Sequence, residues 1–299
     1  MDTTRDTLMA GRPSLERRSV QLGRVQETAL VPLYARALES RRRRPILEDA
    51  KAVEMVDSID WDFRRFGQRR RVVGCCLRSA MFDVWVRDFL RRHPEGTVVE
   101  IGAGLNTRFE RLDNGRVHWY DLELPDMVAL RRRFFSDSER RMTLATSVLN
   151  PDWIETVRRS PGPYLLVAET VFVYLEEAQV KDALRQIASG FPEVTIALDT
   201  VGRRAVDIGN RDFARRKMAA RFQWACEDPI AIQDWDIGLR LVEARTMADV
   251  PDCLWPRLSL PLRANLRLFG ALFPKQMKMY QLCVFGGGNS PIARTLRPK

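Results

Sequence analysis

A chain of 299 residues with 45% apolar and 29% charged residues is long enough to bury a substantial core and has the composition of a globular protein. No run approaches the roughly 18–20 apolar residues that a membrane helix needs, so no membrane partner is expected. The net charge of +10 raises nucleic-acid binding, but the basic residues are nearly all Arg and are spread along the chain with no recognisable binding module. Nucleic acid is therefore not expected as a partner, whereas a basic surface can steer small anionic molecules toward a cleft.

Residues 1–22 lack the apolar stretch of a secretory signal and read as a flexible leader, and five cysteines without a C-x-x-C pair suit the reducing cytoplasm. Helical spacing of apolar residues runs from Gly23 to Arg44, with Pro32 expected to kink or break it, then from Leu47 to Val56 and from Arg71 to Arg92. Together these form a helical cover over residues 23–94. Five short apolar runs follow as strands: Thr97–Gly102, Arg116–Glu123, Met142–Val148, Tyr164–Val171 and Val194–Val201. Helical segments opened by Pro or acidic residues lie between them at 124–137, 151–160 and 175–191. Such alternation predicts a parallel sheet that binds ligands outside the carboxyl ends of its strands. Residues Arg203–Asp228 read as one Arg-rich helical segment. Gly238–Met247 and Lys278–Phe285 read as two further strands around a proline-punctuated stretch, and 287–299 as a disordered tail.

The first strand ends at Glu100 and breaks into Gly102-Ala103-Gly104, which brings bare backbone to the sheet edge where a ligand can approach. A dinucleotide fingerprint needs a third glycine, and position 107 is Thr. Asp121 and Glu123 end the second strand about 20 residues on, where a carboxylate can accept the hydroxyls of a ribose. Capping the next helix is the competing role for these acids, one that Asp126 also fits. His93 and His118 are separated and read as structural, so no metal site is expected.

The ordered segments CLRSAMFDVWVRDFL, VVEIGAGLNTRFERL, VHWYDLELPDMVALRRRF, SVLNPDW and LLVAETVFVYLEEAQV resemble the leucine carboxyl methyltransferase family, in its bacterial polyketide O-methyltransferase branch. The resemblance spans roughly residues 36–199. It implies an S-adenosylmethionine-dependent methyltransferase of the Rossmann-like α/β class I fold: a seven-stranded, mostly parallel sheet in a core over 95–286, with an N-terminal helical cover and cap segments inserted at 203–237 and 248–276. By the same resemblance Arg78 pairs with the methionine carboxylate of the cofactor, a planar anion that suits a guanidinium. Glu100, Gly102, Ala103 and Gly104 lie beside the methionine portion. Glu123 takes the ribose, with Asp121 as second candidate and Leu122 between them, while Ser147 and Val148 face adenine. Glu169 and Thr170 border the sulfonium. Asn106 stands where many members have Asp, and Arg108 belongs to a G-L-(D/N)-T-R signature, either positioning the turn against an acid such as Glu169 or forming a purely structural salt bridge.

Glu169 and Tyr174 are the expected catalytic residues, Tyr174 by reaching the acceptor, with core packing as its alternative. A carboxylate acceptor is ionised at neutral pH and needs no general base, which agrees with a chain holding two histidines, whereas a phenol would benefit from a base or a nearby cation. The expected acceptor is thus a small acidic or aromatic molecule, foremost the carboxylate of a polyketide or other aromatic natural product. A phenol or a protein C-terminal carboxylate is the alternative acceptor, and a nicotinamide-dependent oxidoreductase or a non-catalytic binding protein the alternative function. Acceptor recognition is expected from residues 22–44, 203–235 and 250–272. Arg24, Arg203, Arg204 and Arg221 are the candidate cations there, and Phe213, Phe222, Trp224 and Trp255 the candidate pocket floor.

Overall fold

The computed structural model describes residues 18–19, 26–63, 69–191 and 193–288. Most of the expected leader and tail therefore lies outside the described residues. A two-residue parallel ladder pairs Arg18–Ser19 with Ile59–Asp60.

A 3-10 turn, Gln26–Ala29, runs into helix α1, Leu30–Ser40. Pro32 does not break it. As third residue of the helix it occupies the first turn, where a backbone N–H has no helical acceptor to lose. Helices α2 (Ala50–Ser58) and α3 (Arg69–Arg92) complete the cover. Asp49 caps α2 by accepting from the Ala52 amide.

The sheet comprises β1 (Thr97–Ile101), β2 (His118–Glu123), β3 (Arg141–Ala145), β4 (Tyr164–Ala168), β5 (Thr195–Val201), β6 (Leu239–Thr246) and β7 (Tyr280–Gly287). Its order is β3-β2-β1-β4-β5-β7-β6, parallel except that β7 runs antiparallel between β5 and β6. This is the seven-stranded, mostly parallel Rossmann-like arrangement that the resemblance implies. Chain direction across the sheet reverses between β1 and β4, and the crevice at that switch point is where ligands of open α/β sheets bind.

Alternation within the strands divides the core between two faces. Val98 and Leu165 join Leu77, Phe82 and Phe89 of α3 on one face. On the other, Val99, Leu166 and Ile196 pack against Trp153 of α6 (Asp152–Val157) and Leu184 and Ile187 of α7 (Glu177–Gly190). A third cluster docks α1 and α2 on Met127 and Leu130 of α5 (Pro125–Arg131), with Leu105 beneath. The turn after β1 is thus walled by the cover.

The expected helix over Arg203–Asp228 is a shorter one, α8, Arg203–Arg215. It ends where Lys217 takes a left-handed φ of 56°, and the chain then doubles back. Asn210 fastens the returning loop by exchanging two hydrogen bonds with the Phe222 backbone at 2.8 and 3.0 Å. The Phe222 ring lies so close to Gly209 that a Cβ there would stand 2.5 Å from it, which requires glycine.

Asp121 lies on the face of β2 that Trp119 and Glu123 share, as alternation predicts, but it is sealed inside. Arg131 and Arg141 pair with its Oδ2 at 2.6 and 2.7 Å, and the Trp119 indole donates to its Oδ1 at 3.2 Å. Burial opposes ionisation, yet the two guanidiniums outweigh it and hold this carboxyl below the usual range. Arg131 also donates to the carbonyls of Ala103 (3.3 Å), Gly104 (2.8 Å) and Asn106 (3.2 Å), so the Asp121–Arg131 pair braces the turn from below.

Asp121→Ala leaves two buried guanidiniums short of a counter-charge and is expected to lower unfolding free energy by about 3–5 kcal/mol, measured by denaturant titration. The depressed carboxyl stabilises the fold above the ordinary aspartate pKa. That stability is lost as pH falls through the lower folded value, so the gap between wild type and variant narrows on acidification.

Candidate active site

A cleft of about 980 Å³ opens at the carboxyl ends of β1, β2 and β4, under α1 and α8. Its floor is the glycine turn. Gly102 and Gly104 have φ of +63° and +48°, and a Cβ on Gly102 would fall 2.6 Å from Val171, so the bare backbone is enforced by both conformation and space. The amides of Gly102 and Ala103 donate to the Leu122 carbonyl at 2.8 and 3.2 Å, which ties the turn to β2. At that point Glu123 emerges: its Oε2 accepts from the Gly104 amide at 2.6 Å and its Oε1 from the Leu124 amide at 2.7 Å. Burial nevertheless pushes its carboxyl above the usual range.

Charge gathers at the other end of the cleft. Arg78 on α3 donates to Glu169 at 2.7 Å through Nε, and Arg108, the first residue of α4 (Arg108–Leu112), donates to the other Glu169 oxygen at 2.6 Å. Arg108 further donates to Asp83 of α3 at 2.8 Å and makes a short contact with Glu100. Burial works against the Glu169 carboxylate, but Arg78 and Arg108 prevail and hold it below the usual range. Burial wins at Glu100 and raises its pKa. Thr170 follows with φ +58°, a strained conformation for a β-branched residue. Asp199 at the end of β5 holds it there, accepting from the Thr170 amide at 2.9 and 3.1 Å and from its hydroxyl at 3.0 Å.

The structure brings nearly all the expected site residues together. Glu100, Gly102, Ala103 and Gly104 line the cleft, as do Leu122 and Glu123 from β2, Ser147 and Val148 after β3, and Arg78, Glu169, Thr170 and Tyr174 around the charged end. Asp121 does not: it sits one pleat deeper, committed to Arg131 and Arg141, and is not available to a ribose. Burial pushes the Tyr174 phenol up to about 12.

The expected cap residues are only partly in place. Phe213 and Phe222 reach the cleft and Tyr174 packs on Phe222, with ring centroids 4.9 and 5.0 Å apart. Trp224 is buried against Trp235, Trp255 packs on the core, and the stretch 250–272 stays away from the cleft. Arg203, Arg204 and Arg221 are exposed elsewhere, and Arg24 lies outside the described residues. The cations at the mouth are Arg215 and Arg216, flanking Asp212 at 3.5 and 3.0 Å. One signal for this wall was present in the sequence: Ala205, Ile208, Gly209, Asp212, Phe213 and Arg216 follow the three-and-four spacing of a single helix face. Thr28, Val31 and Pro32 of the cover also line the cleft, within the expected stretch 22–44, although no local pattern singles them out.

These residues fit an adenosyl amino acid carrying a sulfonium. Glu123 presents a carboxylate beside a bare turn, suited to a vicinal diol, while the buried Oε2 of Glu100 has no protein partner and suits an ammonium. Arg78 offers a guanidinium to a carboxylate, and Ser147 and Val148 bound the space beyond Glu123.

A family model described as leucine carboxyl methyltransferase matches residues 29–188. The chain is 33% identical over 237 residues to the tetracenomycin polyketide synthesis O-methyltransferase TcmP of Streptomyces glaucescens, covering 78% of this chain and 87% of that protein. It is 26% identical over 254 residues to the S-adenosyl-L-methionine-dependent methyltransferase dpfgK of Gibberella zeae, covering 77% and 85%. Among solved structures, a DUF574 family protein from Streptomyces avermitilis superposes with a TM-score of 0.54 at 12% identity over 87% of this chain and 97% of that one, a likeness of fold. With its sheet order, its glycine turn and this family match over more than half its length, the chain belongs to the leucine carboxyl methyltransferase family of S-adenosylmethionine-dependent methyltransferases.

Proposed function

We propose that the protein methylates an oxygen of a small-molecule acceptor, and that this oxygen belongs to the carboxylate of a polyketide or similar aromatic compound. The observation that carries this reading is the state of the proton-accepting groups around the charged end of the cleft. Glu169 is neutralised between Arg78 and Arg108, and the Tyr174 phenol, at about 12, holds its proton at neutral pH. Asp199 is occupied by Thr170 and by the Tyr280 hydroxyl. An acceptor that arrives already ionised fits such a site, and a carboxylic acid with a pKa near ~4 does so. The relative TcmP, an O-methyltransferase of polyketide synthesis, supports the acceptor class. Five free thiols, among them the cleft residue Cys75, suit a reducing cytoplasmic setting.

S-Adenosylmethionine supplies an electrophilic methyl group on its sulfonium. The chain's own part is placement. Glu123 and the turn hold the ribose end, while Arg78 and Glu100 hold the amino-acid end. Phe213, Phe222 and Tyr174 stack the acceptor and exclude water, so that its oxygen meets the methyl carbon in line at roughly 3–3.5 Å. Arg215 and Arg216 draw an anion to the mouth.

Incubation with methyl-labelled cofactor and a panel of aromatic acids and phenols tests the reading. Base-labile methyl esters are the expected products, and base-stable ethers alone would reject the carboxylate assignment. With a carboxylic acid, kcat/KM stays flat from about pH 6 to 9, and Tyr174→Phe retains kcat within about threefold. A phenol would give a rate rising with pH. Glu123→Gln keeps the acceptor of the Gly104 amide but loses the charge, so S-adenosylhomocysteine affinity by calorimetry falls roughly 10–100-fold. Because burial raises the folded pKa of Glu123, its charge costs stability at neutral pH, and the same variant shows an unchanged or higher thermal midpoint.

A further inference from the structure

Helix α9, Leu260–Leu272, has no buried residue, although it packs Leu262 and Leu266 on the core beside Trp255. Those two residues define its inner side. The opposite side of the helix carries Leu260, Pro261, Ala264, Leu268, Ala271 and Leu272, with Arg267 at its edge as the one charged residue, where a surface helix ordinarily presents mostly charge. Leu260, Leu268 and Leu272 are 75%, 53% and 61% exposed, and Phe269 and Phe273 are 51% and 41% exposed. The two phenyl rings pack only 5.4 Å apart at the surface. Elsewhere among the described residues large exposed apolar side chains occur singly, at Leu124, Met142, Ile208 and Ile230. Phe269 and Phe273 continue the Leu262–Leu266 stripe out to solvent, so exposed apolar side chains flank α9 on two sides, a concentration of the kind that marks an interaction site.

Its charge says what kind. After Asp252 the sequence contains no Asp or Glu, but it holds Arg257, Arg263, Arg267, Lys275, Lys278, Arg294, Arg297 and Lys299. Arg residues are spread along the whole chain, and the uneven feature is this lack of acids, which places most of the +10 net charge in one terminal stretch. Arg257, Arg267, Lys275 and Lys278 are exposed around the apolar patch. A second copy of the chain, meeting it about a two-fold axis, would set cations against cations. Nucleic acid offers the anions but no hydrocarbon for Leu268 and Phe269. An anionic lipid surface offers both, with headgroup phosphates for the flanking cations and acyl chains for the protruding Leu and Phe side chains.

We propose that the exposed apolar side chains of α9, with Lys275 and Lys278, dock this enzyme on anionic phospholipid bilayers as a peripheral, in-plane helix. No span is involved, since no helix among the described residues is long and apolar enough to cross a membrane. Docking is separate from the cleft, which α9 does not line.

Flotation of the full chain with phosphatidylcholine vesicles, with and without phosphatidylglycerol, tests the proposal. Binding to the anionic vesicles only, weakened at roughly 0.5 M salt, is expected. Lys275→Gln with Lys278→Gln lowers it about thirtyfold, and Leu268→Ser with Phe269→Ser at least about tenfold. All four positions are exposed, so the thermal midpoint and S-adenosylhomocysteine affinity of these variants stay at wild-type values. Absence of vesicle binding overturns the proposal, as does equal binding to neutral vesicles. So does a concentration-dependent dimer in sedimentation that the Leu268 and Phe269 variant abolishes, or salt-steep DNA binding without vesicle binding.

Discussion

Arg108 has no exposed side-chain surface and donates to carboxylates from three separate elements: Asp83 on α3, Glu100 on β1 and Glu169 after β4. A guanidinium alone in that position would carry a heavy desolvation cost, and so would each carboxylate without it. Arg111 shares Asp83 and Arg78 shares Glu169, which brings the cluster close to neutrality. The cover helix and the two strands on either side of the switch point are therefore locked to one another through charge as well as packing. The walls of the cleft inherit their spacing from this lock, because Arg78, Glu100 and Glu169 are at once its members and the lining of the charged end.

Three acids on the neighbouring strands β1 and β2 are divided between structure and chemistry by the partners that reach them. Asp121 and Glu123 share a face of β2, two residues apart, and Asp121 opposes Glu100 of β1 in the ladder. The deeper acid is saturated by guanidiniums and ionises readily. Glu123, one pleat further out, and Glu100, level with Asp121 on the next strand, are raised by burial and line the cleft. Carboxyls held above their ordinary range weaken a fold at neutral pH, and here they occur where a ligand would relieve them.

The sheet was legible because its strands are short apolar runs separated by periodic helices, and the glycine turn because only bare backbone tolerates the conformation at 102 and 104. Strand limits held to within a few residues. What sequence spacing could not supply was depth: alternation places Asp121 and Glu123 on one face, but the cover formed by Arg131 and Arg141 depends on how the next helix and strand fold back over β2. The end of α8 was hidden for a related reason, since the Arg-rich text after residue 215 continues to look helical. It is stopped by a left-handed Lys217 and by Asn210 capturing the Phe222 backbone from above. Likewise Pro32 reads as a breaker until its place in the first turn is known.

The Asn210–Phe222 clamp makes the roof over the cleft a self-contained loop-back, closed by its own hydrogen bonds and stacked rings, while the residues proposed to grip the cofactor come from α3, β1, β2 and the ends of β3 and β4. Two inventories of residues meet in one cavity without sharing a member. On the proposed reading, sequence drift around Gly209 and Asn210 within residues 203–222 reshapes which molecule is admitted and leaves the methyl-donor machinery untouched, giving a single scaffold room to diversify its clientele.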